Sequence, residues 1–182
     1  MAKKIIRRGL FGVCAAAGIA LLALGVFKAQ ADNCYYDEYD PELPFNVQVQ
    51  EDEVVDDTVD VFGIERPRHF RRVKFTFEAR TGEPVPSLLA LPTAFDGRLP
   101  AIVFVHGSRQ EKEFIDEIAT PFAEAGFAMA SYDQYMQGER PVDSDGLAEG
   151  LAWRTRTWKT VNDARRMVDY LQSRDDIDPD RI

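Results

Sequence analysis

The stretch that decides the fold is Pro100–Ser108, which reads PAIVFVHGS. Its centre, Ala101–Val105, is a short apolar run without alternation, which is typical of a strand buried on both faces of a parallel sheet. The strand ends at the polar turn His106–Ser108, where a glycine allows the backbone to turn sharply. A second short apolar strand is expected at Phe127–Ser131, so the sequence indicates two neighbouring buried strands.

The segment between these strands is interpreted as a helix that connects them. Apolar side chains recur at helical spacing over residues 114–123. Pro121 lies inside the pattern and should kink the helix, whereas Gly126 is suited to its carboxyl end. A strand, a helix and a strand in this order predict a right-handed crossover between parallel strands.

A second helix is predicted after a polar loop over residues 134–150. It is expected to begin near Thr155, with Trp158 on its apolar stripe and Arg166 away from that stripe. Arg181-Ile182 are interpreted as the first step of a further strand. The alternation of buried strands with helices predicts the α/β fold class, in which ligands bind at the carboxyl ends of the strands.

An antiparallel hairpin is expected before the buried strands. Val73, Phe75 and Phe77 alternate with polar residues, as in a strand with one buried face. Thr81–Pro84 has turn chemistry, and a second apolar strand follows at Val85–Leu91. The hairpin should therefore lead directly into the buried part of the sheet.

Charge divides the chain unevenly. The whole chain carries −9, but residues 1–31 hold five basic side chains and no acid, so the remainder carries −14. Residues 32–62 are expected to form an acidic, partly disordered leader. A basic cluster before the hairpin either pairs with this leader or forms a solvated face, the latter being commoner: Arg66, Arg68, His69, Arg71 and Arg72. So acidic a chain excludes nucleic acid as a partner.

The first 31 residues match the three-part pattern of a secretory signal peptide. The basic segment Met1–Arg8 is followed by the uncharged run Gly9–Phe27 and by small residues at Ala29 and Ala31. The pattern predicts cleavage near Ala31 and export to the periplasm or the cell exterior, by a general or a twin-arginine route. The alternative is a membrane anchor formed by residues 9–27, so membrane contact is expected only through this segment.

Four segments, taken in order, resemble the amino-terminal half of an α/β-hydrolase of the dienelactone-hydrolase, acetyl-xylan-esterase and prolyl-oligopeptidase-like group. They are Pro100–Ser108, 123–127 (AEAGF), Tyr132–Arg140 (YDQYMQGER) and 161–182, which ends in DPDRI. Their order and spacing carry the match. The resemblance implies that residues 63–182 form an incomplete α/β-hydrolase domain, with an antiparallel hairpin followed by parallel strands and covering helices, truncated before the nucleophile elbow.

The resemblance also implies an oxyanion hole at the turn after the first buried strand. Ester cleavage passes through a tetrahedral oxyanion, and backbone N–H groups aimed at it stabilise charge that the ground state lacks. The N–H of Ser108 is the expected donor, with Gly107 permitting the turn and His106 preceding it. The alternative is a plain turn that ends a strand.

Three charged residues after the second buried strand are candidates for the substrate rim. Asp133 ends that strand, although a cap or loop carboxylate is the commoner role for such a residue. Glu139 and Arg140 belong to the following loop and can equally pair with each other in solvent. Trp153 is a further candidate for the lining of a pocket.

The nucleophile of the family lies in a G-x-S-x-G turn, and this motif does not occur in the 182 residues. The acid and the histidine of the triad follow the serine in chain order, so neither His69 nor His106 is expected to serve. The sequence therefore predicts no nucleophile within this chain. No phosphate loop, zinc spacing or nicotinamide fingerprint occurs, so no metal and no cofactor are expected.

Together these features predict an exported serine hydrolase that acts on small carboxylic esters, present as an amino-terminal fragment that lacks its triad and is inactive alone. Two alternatives stay open: a fragment of a prolyl-oligopeptidase-like peptidase, and a non-catalytic remnant or interaction protein. The substrate and the oligomeric state are not determined by the sequence, since fold does not fix function.

Overall fold

The computed structural model describes residues 16–29, 40, 42–143 and 145–182, except for the side chains of residues 147 and 148. The chain divides into two compact units, Met1–Glu38 and Tyr39–Ile182. Helix α1, residues 16–29, is the described part of the first unit. None of the helices in the described ranges has the length and apolarity that a membrane crossing requires. The expected cleavage site near Ala31 lies outside the described residues.

The second unit contains a five-stranded mixed sheet with the strand order β1-β2-β3-β5-β4. The strands are β1 (Gln48–Val61), β2 (Ile64–Glu78), β3 (Pro84–Leu91), β4 (Ala101–Phe104) and β5 (Ala128–Tyr132). Neighbouring strands pair antiparallel except β4 and β5, which are parallel. A 3₁₀ turn at Lys112–Phe114 leads into α2 (Ile115–Glu124), and α3 spans Gly146–Gln172. The α/β class, the hairpin and the parallel pair are thus confirmed.

Helices cover the sheet on both faces. Leu88 of β3 packs in a cluster with Ile115 of α2, whereas its neighbour Leu89 packs in a second cluster with Leu171 of α3. Successive side chains of a strand point to opposite faces, so α2 and α3 lie on opposite sides of the sheet. Phe75 of β2 belongs to the α3 cluster and is fully buried, as its alternation predicted.

Helix α2 ends where the sequence predicts. Gly126 adopts the left-handed region with φ +82°, and its N–H donates to the carbonyl of Ala123 at 2.9 Å. The N–H of Phe127 donates to the carbonyl of Phe122 at 2.9 Å. This pair of bonds is the Schellman motif, which satisfies carbonyls left unpaired at a helix end.

Helix α3 differs from the prediction at both its start and its buried face. It begins at Gly146 rather than near Thr155, so the preceding loop is shorter than expected. Trp158 is only half-buried and belongs to neither core cluster among the described residues. Arg166, expected on the solvent side, is 1% exposed. Its guanidinium is tolerated there because it donates to backbone carbonyls, those of residues 43 and 44 lying 2.7 and 2.9 Å away.

The sequence predicts a partly disordered acidic leader over residues 32–62. In the structure, Gln48–Val61 of this segment form strand β1. This strand pairs with β2 along its length and buries only Val55. Acidic residues are depleted in strands, and no apolar alternation marks this one. The strand forms through its partner rather than through its own hydrophobic pattern.

Ion pairs between side chains of β1 and β2 accompany the backbone pairing of the two strands. The guanidinium of Arg68 lies 2.6 Å from the carboxylate of Asp57, and that of Arg71 lies 2.6 Å from Asp52. Both pairs are bidentate, which fixes the geometry as well as the charge. The basic cluster therefore pairs with the acidic segment, and the alternative of a purely solvated face is wrong.

The residues after α3 return to the outer edge of β4. The N–H of Asp178 donates to the carbonyl of Leu99 at 2.8 Å, and the N–H of Ala101 donates to that of Arg181 at 2.9 Å. Leu99 and Ile177 form a parallel bridge. The end of the chain thus pairs beside β4, where the sequence places the first step of a further strand.

Candidate active site at the carboxyl ends of the parallel strands

The turn His106–Ser108 follows β4 directly and is held by Gln110. The Gly107 N–H donates to the Gln110 side-chain oxygen at 2.9 Å, and the Gln110 N–H donates back to the Gly107 carbonyl at 3.3 Å. Arg109 takes the left-handed region with φ +69°. Ser108 is exposed, and no acceptor in the described part of the chain lies within hydrogen-bond reach of its N–H.

His106 supports this turn from the inside. It is 3% exposed, and its Nδ1 lies 3.0 Å from the carbonyl of Gly107. Its Nε2 is buried and has no hydrogen-bond partner among the described residues. Because the ring faces inward, His106 fixes the backbone of the turn and does not project into solvent.

Gln134, the second residue after β5, joins the turn to α3. Its side-chain nitrogen donates to the carbonyl of His106, and its side-chain oxygen accepts from Arg156 at 3.0 Å. The same oxygen lies 3.4 Å from the hydroxyl of Thr160. Gln134 is 5% exposed, so its side-chain amide is a fixed connection. It joins the residues that follow β4 and β5 to the side chains of Arg156 and Thr160 within α3.

Asp133, a candidate for the substrate rim, lies beneath the loop after β5 with no exposed surface, in keeping with its commoner alternative role as a loop carboxylate. One carboxylate oxygen accepts from the Lys112 N–H at 2.9 Å, and the other accepts from the Lys112 ammonium at 2.8 Å and the Glu139 N–H at 2.9 Å. Gly138 lies so close that a Cβ there would overlap the carboxylate. These bonds make Asp133 a loop-organising carboxylate.

Lys112 is the cation at the centre of this network. It is 1% exposed, and its ammonium lies 2.7 Å from Glu139 and 2.9 Å from Glu113, besides Asp133. Burial opposes the charged form, but the hydrogen bonds that the ammonium donates to these three carboxylates outweigh it and raise the pKa of Lys112. The ammonium therefore remains charged inside the protein.

Glu139 and Arg140 lie in the same loop but do not pair with each other. The side chain of Glu139 is 48% exposed and lies 3.0 Å from Lys74. Arg140 is buried, with nitrogens 2.7 Å from Asp163 and 2.6 Å from Glu83. Of the rim candidates, only Glu139 is in contact with solvent, while Arg140 anchors the loop to α3 and to the hairpin turn.

A cavity of about 260 Å³ lies between this loop and α3. It is lined by Gln134, Trp153, Arg156, Thr157, Thr160 and Val161. Trp153 takes the pocket-lining position that the sequence suggests. The sequence gives no signal for Arg156 or Lys112, because a charged side chain is normally exposed. Gln134 was also missed, although its position at a strand end is itself a signal.

The described residues do not assemble a catalytic triad. His69 is exposed and lies 3.4 Å from Asp56 and 3.2 Å from Thr93, and no described serine hydroxyl contacts either histidine. Within the same residues, no cluster of three or more His, Cys, Asp or Glu side chains could hold a metal ion. What the geometry offers is a backbone N–H without an acceptor among the described residues, in a turn that Gln134 joins to a cavity lined by polar and aromatic side chains.

A mixed sheet that begins with antiparallel strands, continues with a parallel pair and is covered by helices on both faces is the architecture of the α/β-hydrolase fold. Solved structures agree. The chain is similar to an acetyl xylan esterase from Paenibacillus sp. R4, with TM-score 0.56, 20% identity, and coverage of 86% of this chain and 49% of that chain. A Bacteroides fragilis NCTC 9343 protein, provisionally classed as an acetyl xylan esterase, gives TM-score 0.50 at 18% identity, covering 74% and 41%.

Among curated proteins, the chain is 28% identical over 116 residues to YtaP of Bacillus subtilis (strain 168), which is provisionally classed as a hydrolase. The match covers 55% of this chain and 39% of YtaP. No family model matches. The chain therefore has the fold of the α/β-hydrolase family, and it spans about half the length, or less, of these relatives.

Proposed function

We propose that this chain is the oxyanion-binding part of an exported α/β-hydrolase that cleaves carboxylic esters. The observation that carries the proposal is the N–H of Ser108, an exposed residue in the turn that follows β4. The Gly107 N–H is already bonded to Gln110, whereas the Ser108 N–H meets no acceptor among the described residues. A donor in this position is available to a substrate oxygen.

The turn suits transition-state stabilisation because it is held before substrate arrives. As a nucleophile adds to an ester carbonyl, negative charge develops on the carbonyl oxygen. A donor fixed by Gln110 on one side and by Gln134 on the other needs no rearrangement to meet that charge. One such donor contributes about 10²–10³ in kcat in characterised hydrolases.

Two solved relatives are named as acetyl xylan esterases, one of them provisionally. This favours a small carboxylic ester as the substrate. We place the nucleophile, the acid and the histidine outside the 182 residues, and expect the chain alone to lack hydrolase activity. The signal-like pattern of residues 1–31 supports export.

The test is to read the gene beyond codon 182 and to assay both the 182-residue chain and the complete product with p-nitrophenyl acetate. We expect the frame to continue into G-x-S-x-G, with turnover by the complete product and none above buffer by the chain alone. A stop codon directly after codon 182 would overturn the proposal and favour a non-catalytic interaction protein. Turnover by the chain alone would overturn the placement of the triad.

A further inference from the structure

Arg156 is a nearly buried cation whose protein partners are all neutral. The residue as a whole is 8% exposed, and one nitrogen of its guanidinium, Nη2, donates to the side-chain oxygens of Gln134 at 3.0 Å and Gln137 at 2.9 Å. The guanidinium also lies 4.8 Å from the centre of the Trp153 ring. In the described ranges, no carboxylate lies within 4.0 Å of it.

The other buried cations near this site are compensated. Lys112 contacts carboxylates, and Arg140 contacts Asp163 and Glu83. Arg156 has no such partner among the described residues, and burial alone lowers its pKa. Neutral acceptors satisfy part of this guanidinium, as they do for Arg166, and its positive charge is left available to an anion that the protein itself does not supply.

The anion has a place to bind. Arg156 lines the cavity of about 260 Å³ together with the hydroxyl-bearing Thr157 and Thr160 and the aromatic face of Trp153. Nε and Nη1 of Arg156 have no acceptor among the described residues. Each two-donor edge of a guanidinium includes Nη2, which is occupied here, so Nε and Nη1 would each hold a carboxylate oxygen by a single hydrogen bond. A single guanidinium matches a monoanion better than a dianion.

The cavity adjoins the proposed oxyanion turn. Gln134 accepts from Arg156 with its oxygen and donates to the carbonyl of His106 with its nitrogen, so one side chain separates the cation from the turn. We take an anion bound at Arg156 to belong to the molecule whose carbonyl lies at Ser108, because Gln134 contacts both the cation and the turn. This placement ties the cation to the substrate rather than to a remote effector.

We propose that Arg156 binds a carboxylate carried by the substrate, so that the preferred esters bear a free carboxylate on the acyl or alcohol part. This inference rests on the proposed hydrolase function. The same guanidinium would also bind the carboxylate of a product acid. Binding of a free carboxylate tests the site itself, and a kinetic comparison of two esters tests whether the substrate carries the carboxylate.

The first experiment measures ligand binding to the 182-residue chain by quenching of tryptophan fluorescence, since Trp153 lies against Arg156. Benzoate carries the carboxylate, and benzamide is its neutral counterpart. We expect saturable quenching by benzoate with a Kd at least about 10-fold below that of benzamide, as expected for a charge-assisted pair. Equal Kd values, or no binding of benzoate, would overturn the inference.

Substitutions of Arg156 test whether this residue causes the preference for benzoate over benzamide. Arg156→Met should remove the preference for benzoate, and Arg156→Lys should restore part of it. Arg165→Met is the matched control, because Arg165 lies on the same helix with an exposed side chain. Benzoate binding that is unchanged in Arg156→Met would refute the assignment. If circular dichroism shows that Arg156→Met does not fold, the inference is tested with two other measurements. These are the Kd of benzoate for Arg156→Lys and the comparison of benzoate with benzamide in the parent chain.

A kinetic arm separates this inference from the proposed function. In the complete product, kcat/KM for p-nitrophenyl hemisuccinate should exceed that for p-nitrophenyl butyrate, and Arg156→Met should remove the difference mainly through KM. Benzoate binding without any esterase activity would contradict the hydrolase proposal alone. Esterase activity with equal kcat/KM for both esters would contradict the carboxylate site alone.

Discussion

The ammonium of Lys112 lies 2.8 Å from the carboxylate of Asp133, and both side chains are buried. Lys112 follows the His106–Ser108 turn, whereas Asp133 is the first residue after β5. The pair therefore joins the two polar turns at the carboxyl ends of the parallel strands. The position of the candidate site depends on this contact as well as on the sheet.

Replacing Lys112 by Met should strongly destabilise the fold. The substitution leaves the carboxylate of Asp133 buried without its cation, which costs about 3–5 kcal/mol of unfolding free energy. Urea denaturation of the chain measures this loss. Adding Asp133→Asn removes the unpaired charge and should recover part of the loss, as a double-mutant cycle would show. A loss below about 1 kcal/mol in Lys112→Met would contradict the role given to the pair.

Gly138→Ala should disturb the loop after β5 because of a close approach, not only because of its backbone angle. Gly138 has φ +55°, and a Cβ there would overlap the Asp133 carboxylate. Gly146 has φ +54° with nothing within 4 Å, so Gly146→Ala is the matched control. In urea denaturation, Gly146→Ala should lower the free energy of unfolding by about 1 kcal/mol, and Gly138→Ala should lower it clearly more. Equal losses would show that the contact with Asp133 is unimportant.

Acid should weaken the β1–β2 ribbon. Hydrogen bonds from Arg71 and Arg68 lower the pKa values of Asp52 and Asp57 below the ordinary value of 3.8. A carboxylate with a lowered pKa stabilises the folded state above its unfolded pKa, and this contribution is lost as the pH falls through the folded pKa. Protection factors of β1 amides should therefore fall as the pH drops below about 4.

The control for this pH dependence is the double variant Arg68→Met/Arg71→Met. Without the two guanidinium groups, the ribbon should be less protected near neutral pH and should lose less protection on acidification. An identical fall in the variant and the parent chain would show that these ion pairs do not cause the acid response.

Much of the fold follows from apolar patterns. The alternation at Phe75 and Phe77, the unbroken run after Pro100 and the glycine at position 126 each specify local structure that the sheet then combines. The resemblance of the ordered segments to α/β-hydrolases predicted the mixed sheet correctly. Apolar patterns of this kind predict strands and helices reliably, because the side of a strand or helix that is buried in the core must be apolar.

The parts that the sequence missed depend on buried charge. β1 has no apolar period and forms through pairing with arginines of β2. Lys112, Arg156 and Arg166 are buried because partners distant in sequence surround them, and no local pattern records those partners. The same reason explains why the sequence leaves two roles open for Asp133, since its position at a strand end does not reveal the lysine that binds its carboxylate.

The central claim, that the Ser108 N–H stabilises the oxyanion, is tested most directly by kcat of the complete product with p-nitrophenyl acetate for Ser108→Pro and Ser108→Ala. Proline removes the N–H, whereas alanine keeps it and removes only the hydroxyl. We predict a fall in kcat of about 10²–10³ for Ser108→Pro with similar KM, and near-parental kcat for Ser108→Ala. A Ser108→Pro variant that folds and retains parental kcat would contradict the account.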